Sequence, residues 1–173
     1  MATLRVQLAA FEQGRQLTEP AEGNLEGESA EVALAQWGHL MSEHEKQEVL
    51  SVQRVHFVGG SARKVSKESW HDRDGHYNLV ANDHLGFQYK VLGLMGTGAF
   101  SQAIQCIDCA APLGGPHRVV VVKLVRADTQ CDKQTDLERE ACLLVRQHDP
   151  DGKMPIVQLL GEFRYVRPTS SVL

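Results

Sequence analysis

Two glycines one residue apart, a lysine and an acid are the residues of this chain whose types and order could do chemistry. Gly96-Thr97-Gly98-Ala99-Phe100 lies between two stretches of β pattern. Glycine has no Cβ, so the amides of such a turn can come close to a phosphate. Taken alone, a G-x-G pair is most often only a tight turn. Lys123 stands inside the β-branched run Val119–Val125. An ammonium there must reach solvent or meet an anion, because an unpaired buried charge is costly. Glu140 follows 17 residues later, between Leu137 and Leu144 in a segment of helical spacing. Its angle is expected to turn it toward the sheet and onto Lys123, while Glu138 is expected to face solvent. Together these residues would bind an anion: a backbone cradle, a cation, and an acid that holds the cation. The plain alternative is a lysine on the solvent face of a half-exposed strand.

Such a set needs a sheet and a helix to hold it. Residues 89–94 alternate in strand fashion and stop at Gly96, and residues 103–107 form a second short strand. Gly114-Gly115-Pro116 marks a turn before the β-branched run of 118–125. Residues 132–147 carry helical spacing, with Leu137, Ala141, Leu144 and Val145 as the expected sheet-facing stripe. Asp149-Pro150-Asp151-Gly152 ends that helix, and residues 156–160 read as a last apolar strand. The order β-β-β-α-β describes an α+β layer with antiparallel pairing. Upstream, Ser42 followed by Glu43 and Glu45 reads as a capped helix start, and residues 55–58 as a strand ended by Gly59-Gly60. Residues 1–39 are rich in Glu, Gly and Ala and are expected to be a flexible arm, with room for a short helix at 4–11 or 30–40.

The bulk properties exclude several classes. The 173 residues carry a net charge of −4, so the basic surplus of a nucleic-acid binder is missing. No apolar run approaches the roughly 18 residues of a membrane helix, and the first residues have no secretory pattern. A cytoplasmic or nuclear protein is expected. Of the four cysteines, Cys106 and Cys109 form a single C-x-x-C without the second pair a structural zinc site needs. Reduced, partly buried thiols are expected.

The motifs in series carry a resemblance. A glycine turn, a strand lysine and a helix glutamate in this order resemble the nucleotide half of a protein kinase. Gln88-Tyr89-Lys90-Val91-Leu92, Met95-Gly96-Thr97-Gly98-Ala99-Phe100, Gln105-Cys106-Ile107-Asp108 and Val122-Lys123-Leu124-Val125-Arg126 resemble the first three strands of the dual-specificity tyrosine-regulated and CDC-like (LAMMER) kinases. Upstream pieces favour the former family. Leu40-Met41-Ser42-Glu43-His44-Glu45, Val55-His56-Phe57-Val58-Gly59 and Ala62-Arg63-Lys64 resemble its accessory segment, and Asp74-Gly75-His76-Tyr77 with Asp83-His84-Leu85 its "DH box". CDC-like kinases share the Asp-Gly-His and Cys-Ile-Asp pieces and stand second.

The resemblance implies an α+β kinase N-lobe, an antiparallel sheet with one helix, over residues 86–163. An accessory segment at 40–85 would precede it and a divergent tail at 164–173 follow it. It implies ATP as ligand, held by Met95, Gly96, Thr97, Gly98, Ala99, Phe100, Ser101, Ala103, Val121, Lys123 and Glu140. It also implies protein substrates for the complete enzyme, no nucleic acid and no membrane. The alternative function is a partner-binding regulatory module acting through residues 40–85.

Departures from the family pattern matter. The third loop glycine is Ser101, the valine over adenine is Ala103, and the alanine two residues before the lysine is Val121. The last two exchanges nearly conserve volume, which packing tolerates best. Neither a His-Arg-Asp nor an Asp-Phe-Gly sequence occurs, so no catalytic residue is assigned, Mg2+ is expected only in the complete enzyme, and this chain alone is expected to be inactive. The family's fifth strand lies between its third and fourth. The chain is expected to stop before it, leaving the strand at 156–160 without a neighbour and the last segment ill-ordered.

Overall fold

The computed structural model describes residues 2–10, 24–59, 72–115, 117–126 and 129–167. Six strands form one sheet. They are β1 (Ala2–Ala10), β2 (His84–Leu85), β3 (Tyr89–Thr97), β4 (Ser101–Asp108), β5 (Val119–Val125) and β6 (Leu159–Arg167). Their spatial order is β2-β3-β4-β5-β1-β6, antiparallel throughout. Helices α1 (Ala30–Trp37) and α2 (Glu43–Glu48) precede β2, and the long helix α3 (Thr129–His148) connects β5 to β6. The architecture is the expected α+β N-lobe. Among the described residues, no helix is long and apolar enough to cross a membrane.

The sheet has two unlike faces. Along β4 and β5, buried and half-buried positions alternate, as a period of two requires. Ile104, Cys106, Val120, Val122 and Leu124 are buried on one face, where Tyr77, Leu85, Tyr89 and Val91 join them. Phe163 of β6 stacks on Tyr89 with ring centroids 5.6 Å apart. This is the main core, and part of its lid comes from the accessory segment. The opposite face carries Ala103, Val121 and Lys123, all half-buried, and α3 lies on it.

A second small core holds the accessory segment. Ala33, Met41, Val49, Val55 and Phe87 are buried together. Ser42 caps α2 as expected: its hydroxyl accepts from the Glu45 amide, and the Glu45 carboxylate accepts from the Ser42 amide. The expected strand at 55–58 reduces to one β-bridge, Val55 with Glu28.

The accessory segment is locked to the sheet by buried polar groups. The Tyr77 amide donates to Gln102 Oε1 at 2.9 Å, and Gln102 Nε2 donates back to the Tyr77 carbonyl at 3.2 Å. The Tyr77 hydroxyl donates to Asp83 at 2.9 Å. His84 Nδ1 accepts from the Gly59 amide at 3.1 Å. Buried polar groups need such partners, and Asp83 and His84 of the DH-box-like motif meet that need across three chain segments.

Two expectations change in this structure. Within the expected arm, Ala30–Trp37 is the short helix allowed at 30–40, but Ala2–Ala10 is a strand rather than a helix at 4–11, while residues 11–23 lie outside the described residues. The last strand does not stand alone. It starts at Leu159 rather than 156, runs to Arg167, and pairs with β1 along its length. The sheet position expected to be empty is taken by the N-terminal strand. Of the expected tail, residues 164–167 belong to β6, and 168–173 lie outside the described residues.

Candidate nucleotide site

Strands β3 and β4 meet in the glycine hairpin. Their ladder reaches Thr97↔Gln102, and the Gly98 amide closes the turn on the Ser101 carbonyl at 2.8 Å. A Cβ built on Gly96 would meet nothing within 4 Å, so the backbone there borders open space. The side chains of Met95 and Phe100 are exposed. The hairpin tip is tied down from behind: the Arg126 amide donates to the Phe100 carbonyl at 2.9 Å, and its guanidinium to the Ala99 carbonyl at 3.1 Å. The tip therefore moves with the end of β5.

Register brings the remaining sheet residues together. Ala103 of β4 lies directly opposite Lys123 of β5, and Gln105 opposite Val121. Opposed residues share a face, so Ala103, Val121 and Lys123 line one patch beneath the hairpin. Lys123 sits in mid-sheet, with β4 on one side and β1 on the other.

The partner of Lys123 is Glu138, not Glu140. The Lys123 ammonium forms an ion pair and hydrogen bond with the Glu138 carboxylate. Both side chains are partly open to solvent, 31% and 40% exposed. Glu140 is exposed and lies outside this pair. Successive helical residues turn by about 100°, so positions 138 and 140 differ by about 200° and cannot both face the sheet.

Of the expected apolar stripe, Val145 is partly withdrawn from solvent while Leu137, Ala141 and Leu144 are exposed, for the same reason. Leu137 and Leu144 are 68% and 56% exposed. The residues withdrawn from solvent are Thr135, Glu138, Arg139, Cys142 and Val145, a true i, i+3, i+4, i+7 row. It escaped a reading based on hydrophobicity because most of its members are polar. The spacing itself, starting from Thr135, was the available signal. Arg139 donates to Glu162 of β6 at 2.7 Å. Two adjacent helix residues thus reach two different strands.

Two of the cysteines are buried thiols, as expected, and the side chain of Cys131 lies outside the described residues. Cys106 and Cys109 are free and buried. Burial pushes both thiols up from their ordinary value, and each has a second influence: Cys109 raises Cys106 further, while Arg118 draws Cys109 back.

No protein-family profile matches the chain. Individual relatives do. Dual specificity tyrosine-phosphorylation-regulated kinase mbk-2 of Caenorhabditis briggsae is 31% identical over 142 residues, which is 78% of this chain and 17% of that protein. The mbk-2 kinase of Caenorhabditis elegans gives the same figures. Dual specificity tyrosine-phosphorylation-regulated kinase 4 of Homo sapiens is 28% identical over 146 residues, 80% of this chain and 27% of that protein. The resemblance seen in the motifs therefore extends through most of the chain, which by sequence belongs to the dual specificity tyrosine-phosphorylation-regulated kinase family while spanning between 17% and 27% of the length of these relatives.

Proposed function

We propose that this chain is the ATP-binding portion of a protein kinase. The observation that carries the reading is the ion pair between Lys123, at the centre of the sheet, and Glu138 of α3. The residues fit a nucleotide: open backbone at Gly96 beside a patch of Ala103 and Val121, with an oriented ammonium at its edge. ATP supplies the transferable phosphoryl group when bound. The hairpin of residues 95–101 covers the phosphates, Lys123 neutralises part of their charge, and Glu138 holds Lys123 in place. Glu140 has no part in this. The Ala103 and Val121 exchange keeps the pocket's volume and alters its shape.

Phosphorylation of protein serine, threonine and tyrosine would belong to a kinase that includes this portion together with a catalytic base and metal-binding acids. Neither the His-Arg-Asp nor the Asp-Phe-Gly sequence occurs in the 173 residues, so the reading for these residues is nucleotide binding, and phosphoryl transfer would need groups outside them.

The test is titration of a fluorescent ATP analogue with Mg2+ against the intact chain and three variants. Lys123→Ala removes a charge-assisted contact of about 1.5–3 kcal/mol, or roughly ten- to hundredfold in Kd. Glu138→Gln weakens binding in the same direction, and Glu140→Gln stays within about twofold of the parent. Equal affinity of the parent and Lys123→Ala would sink the proposal.

A further inference from the structure

Arg126 joins three parts of the chain at one point. It is the first residue past β5, on the strand that carries Lys123. Its amide donates to the Phe100 carbonyl at 2.9 Å, and its Nη1 to the Ala99 carbonyl at 3.1 Å. Both acceptors belong to the exposed tip of the glycine hairpin. Gly75 of the accessory segment borders the same guanidinium. A Cβ built on Gly75 would stand 3.4 Å from Arg126 Nε and 3.6 Å from Nη2, which is van der Waals contact.

The loop that presents Gly75 is held in shape by its own bonds. The Asp72 carboxylate accepts from the Asp74 amide at 2.9 Å and from the His76 amide at 2.8 Å. The Asp72 amide donates to the His76 carbonyl at 2.9 Å, and the Gly75 amide to the Asp72 carbonyl at 3.2 Å. Gly75 has a φ of +81°, a conformation that a side chain would strain. Tyr77, just after the loop, is locked to Gln102 at the foot of the hairpin. The loop is thus fixed to β4 through Tyr77 and lies against Arg126 at the end of β5.

Hydrogen bonding alone does not place this guanidinium. Arg126 Nε is buried and has no hydrogen-bond partner among the described residues, an arrangement that costs free energy and that packing against the Gly75 loop must offset. The bond from Nη1 to Ala99 is open to solvent, and such a bond by itself holds a long side chain weakly. Confinement by the loop makes the grip on the hairpin firmer. Glycines have the most conformational freedom to lose, so ordering this hairpin beforehand raises affinity for whatever it covers.

We propose that Arg126 is a positioning residue for the nucleotide: clasped by residues 72–76, it pre-orders the glycine hairpin, and the accessory segment thereby sets affinity for the phosphates. This rests on the nucleotide reading above. The hairpin tip and the Lys123 ammonium then take their positions from the same strand. Adenosine, which has no phosphates, lies outside the effect.

The test uses the full chain, Arg126→Ala, Arg126→Lys, Asp72→Ala, and Asp72→Ala combined with Arg126→Ala. The Gly98 amide is protected by the Ser101 carbonyl at 2.8 Å. Without nucleotide, its hydrogen exchange is expected to quicken about threefold or more in each variant, while mid-strand amides of β4 and β5 keep the parent rates. A fluorescent ATP analogue with Mg2+ is expected to bind each variant about three- to tenfold more weakly. Adenosine, read by its displacement of the analogue, is expected to stay within about twofold of the parent. Arg126→Lys keeps the charge but not the planar fork, so parent-like ATP affinity in that variant would make charge the cause and overturn the proposal. The double variant is expected to lose no more than Arg126→Ala alone, because the loop acts through that side chain. Additive losses overturn the proposal, as does an equal loss for adenosine and ATP. Should Arg126→Ala not fold, Arg126→Lys and the exposed-site change Asp72→Ala carry the same measurements. A parent chain that does not bind the analogue removes the nucleotide reading and this proposal with it, whereas a binding parent with unchanged Gly98 exchange in the Arg126 and Asp72 variants removes this proposal alone.

Discussion

Replacing Gln102 with alanine should uncouple the accessory segment from the sheet. The Gln102 amide spans a gap in the backbone ladder, taking the Tyr77 N–H at 2.9 Å and feeding the Tyr77 carbonyl at 3.2 Å. Gln102 is 7% exposed and Tyr77 3%, so water cannot easily replace either bond. Each buried backbone group left without its partner costs about 1–3 kcal/mol. Two such groups, partly relieved by relaxation, put the loss at about 2–4 kcal/mol. That is a large share of the 5–15 kcal/mol typical of a whole domain. With a urea m-value of about 2 kcal/mol/M, the midpoint falls by roughly 1–2 M. Gln102→Met separates hydrogen bonding from packing, because it keeps most of the volume and loses both bonds; it should lose nearly as much as alanine. Urea unfolding followed by tryptophan fluorescence reads the change. If both variants fall within about 0.5 kcal/mol of the parent, Gln102 is not holding Tyr77 and the account of the lock is wrong.

Other outcomes follow from the same geometry. Reverting Ala103→Val and Val121→Ala together should restore more ATP-analogue affinity than the two single changes summed, because both side chains share one face; strict additivity would remove the compensating-volume argument. Ser42→Ala should lower stability by about 1 kcal/mol through loss of the α2 capping box, seen as a lower Tm. Stability should also fall at alkaline pH. Burial pushes Cys106, Cys109 and Tyr89 up from ordinary values of 9.0 for the thiols and 10.0 for the phenol. Above pH 9 the unfolded chain gives up protons that the folded chain retains, so the stabilisation present below that pH is lost as pH rises; a Tm unchanged between pH 8 and 10.5 would contradict this. Alkylation by iodoacetamide should spare Cys106 and Cys109 in the folded chain and label the less buried Cys142 first, as peptide mass mapping would show.

Much of the site was legible in the sequence because local rules governed it. A G-x-G turn between alternating segments, a lysine in a β-branched run, and a serine three residues before a glutamate each name their own backbone conformation. Three matters were decided only in the folded chain. The rotation of α3 follows from contacts with β5 and β6, and it reversed the roles of Glu138 and Glu140, since Leu137 and Leu144 suggested the wrong inward face. The Gln102 lock joins residues 25 apart in sequence, and no local pattern marks it. The placement of residues 2–10 is the clearest case. Their alternation was there to be read, but a strand pattern specifies only that edges will be sought, not which edges. That choice depends on two ladders lying more than a hundred residues downstream, because backbone pairing is a property of whichever segments the rest of the fold leaves side by side.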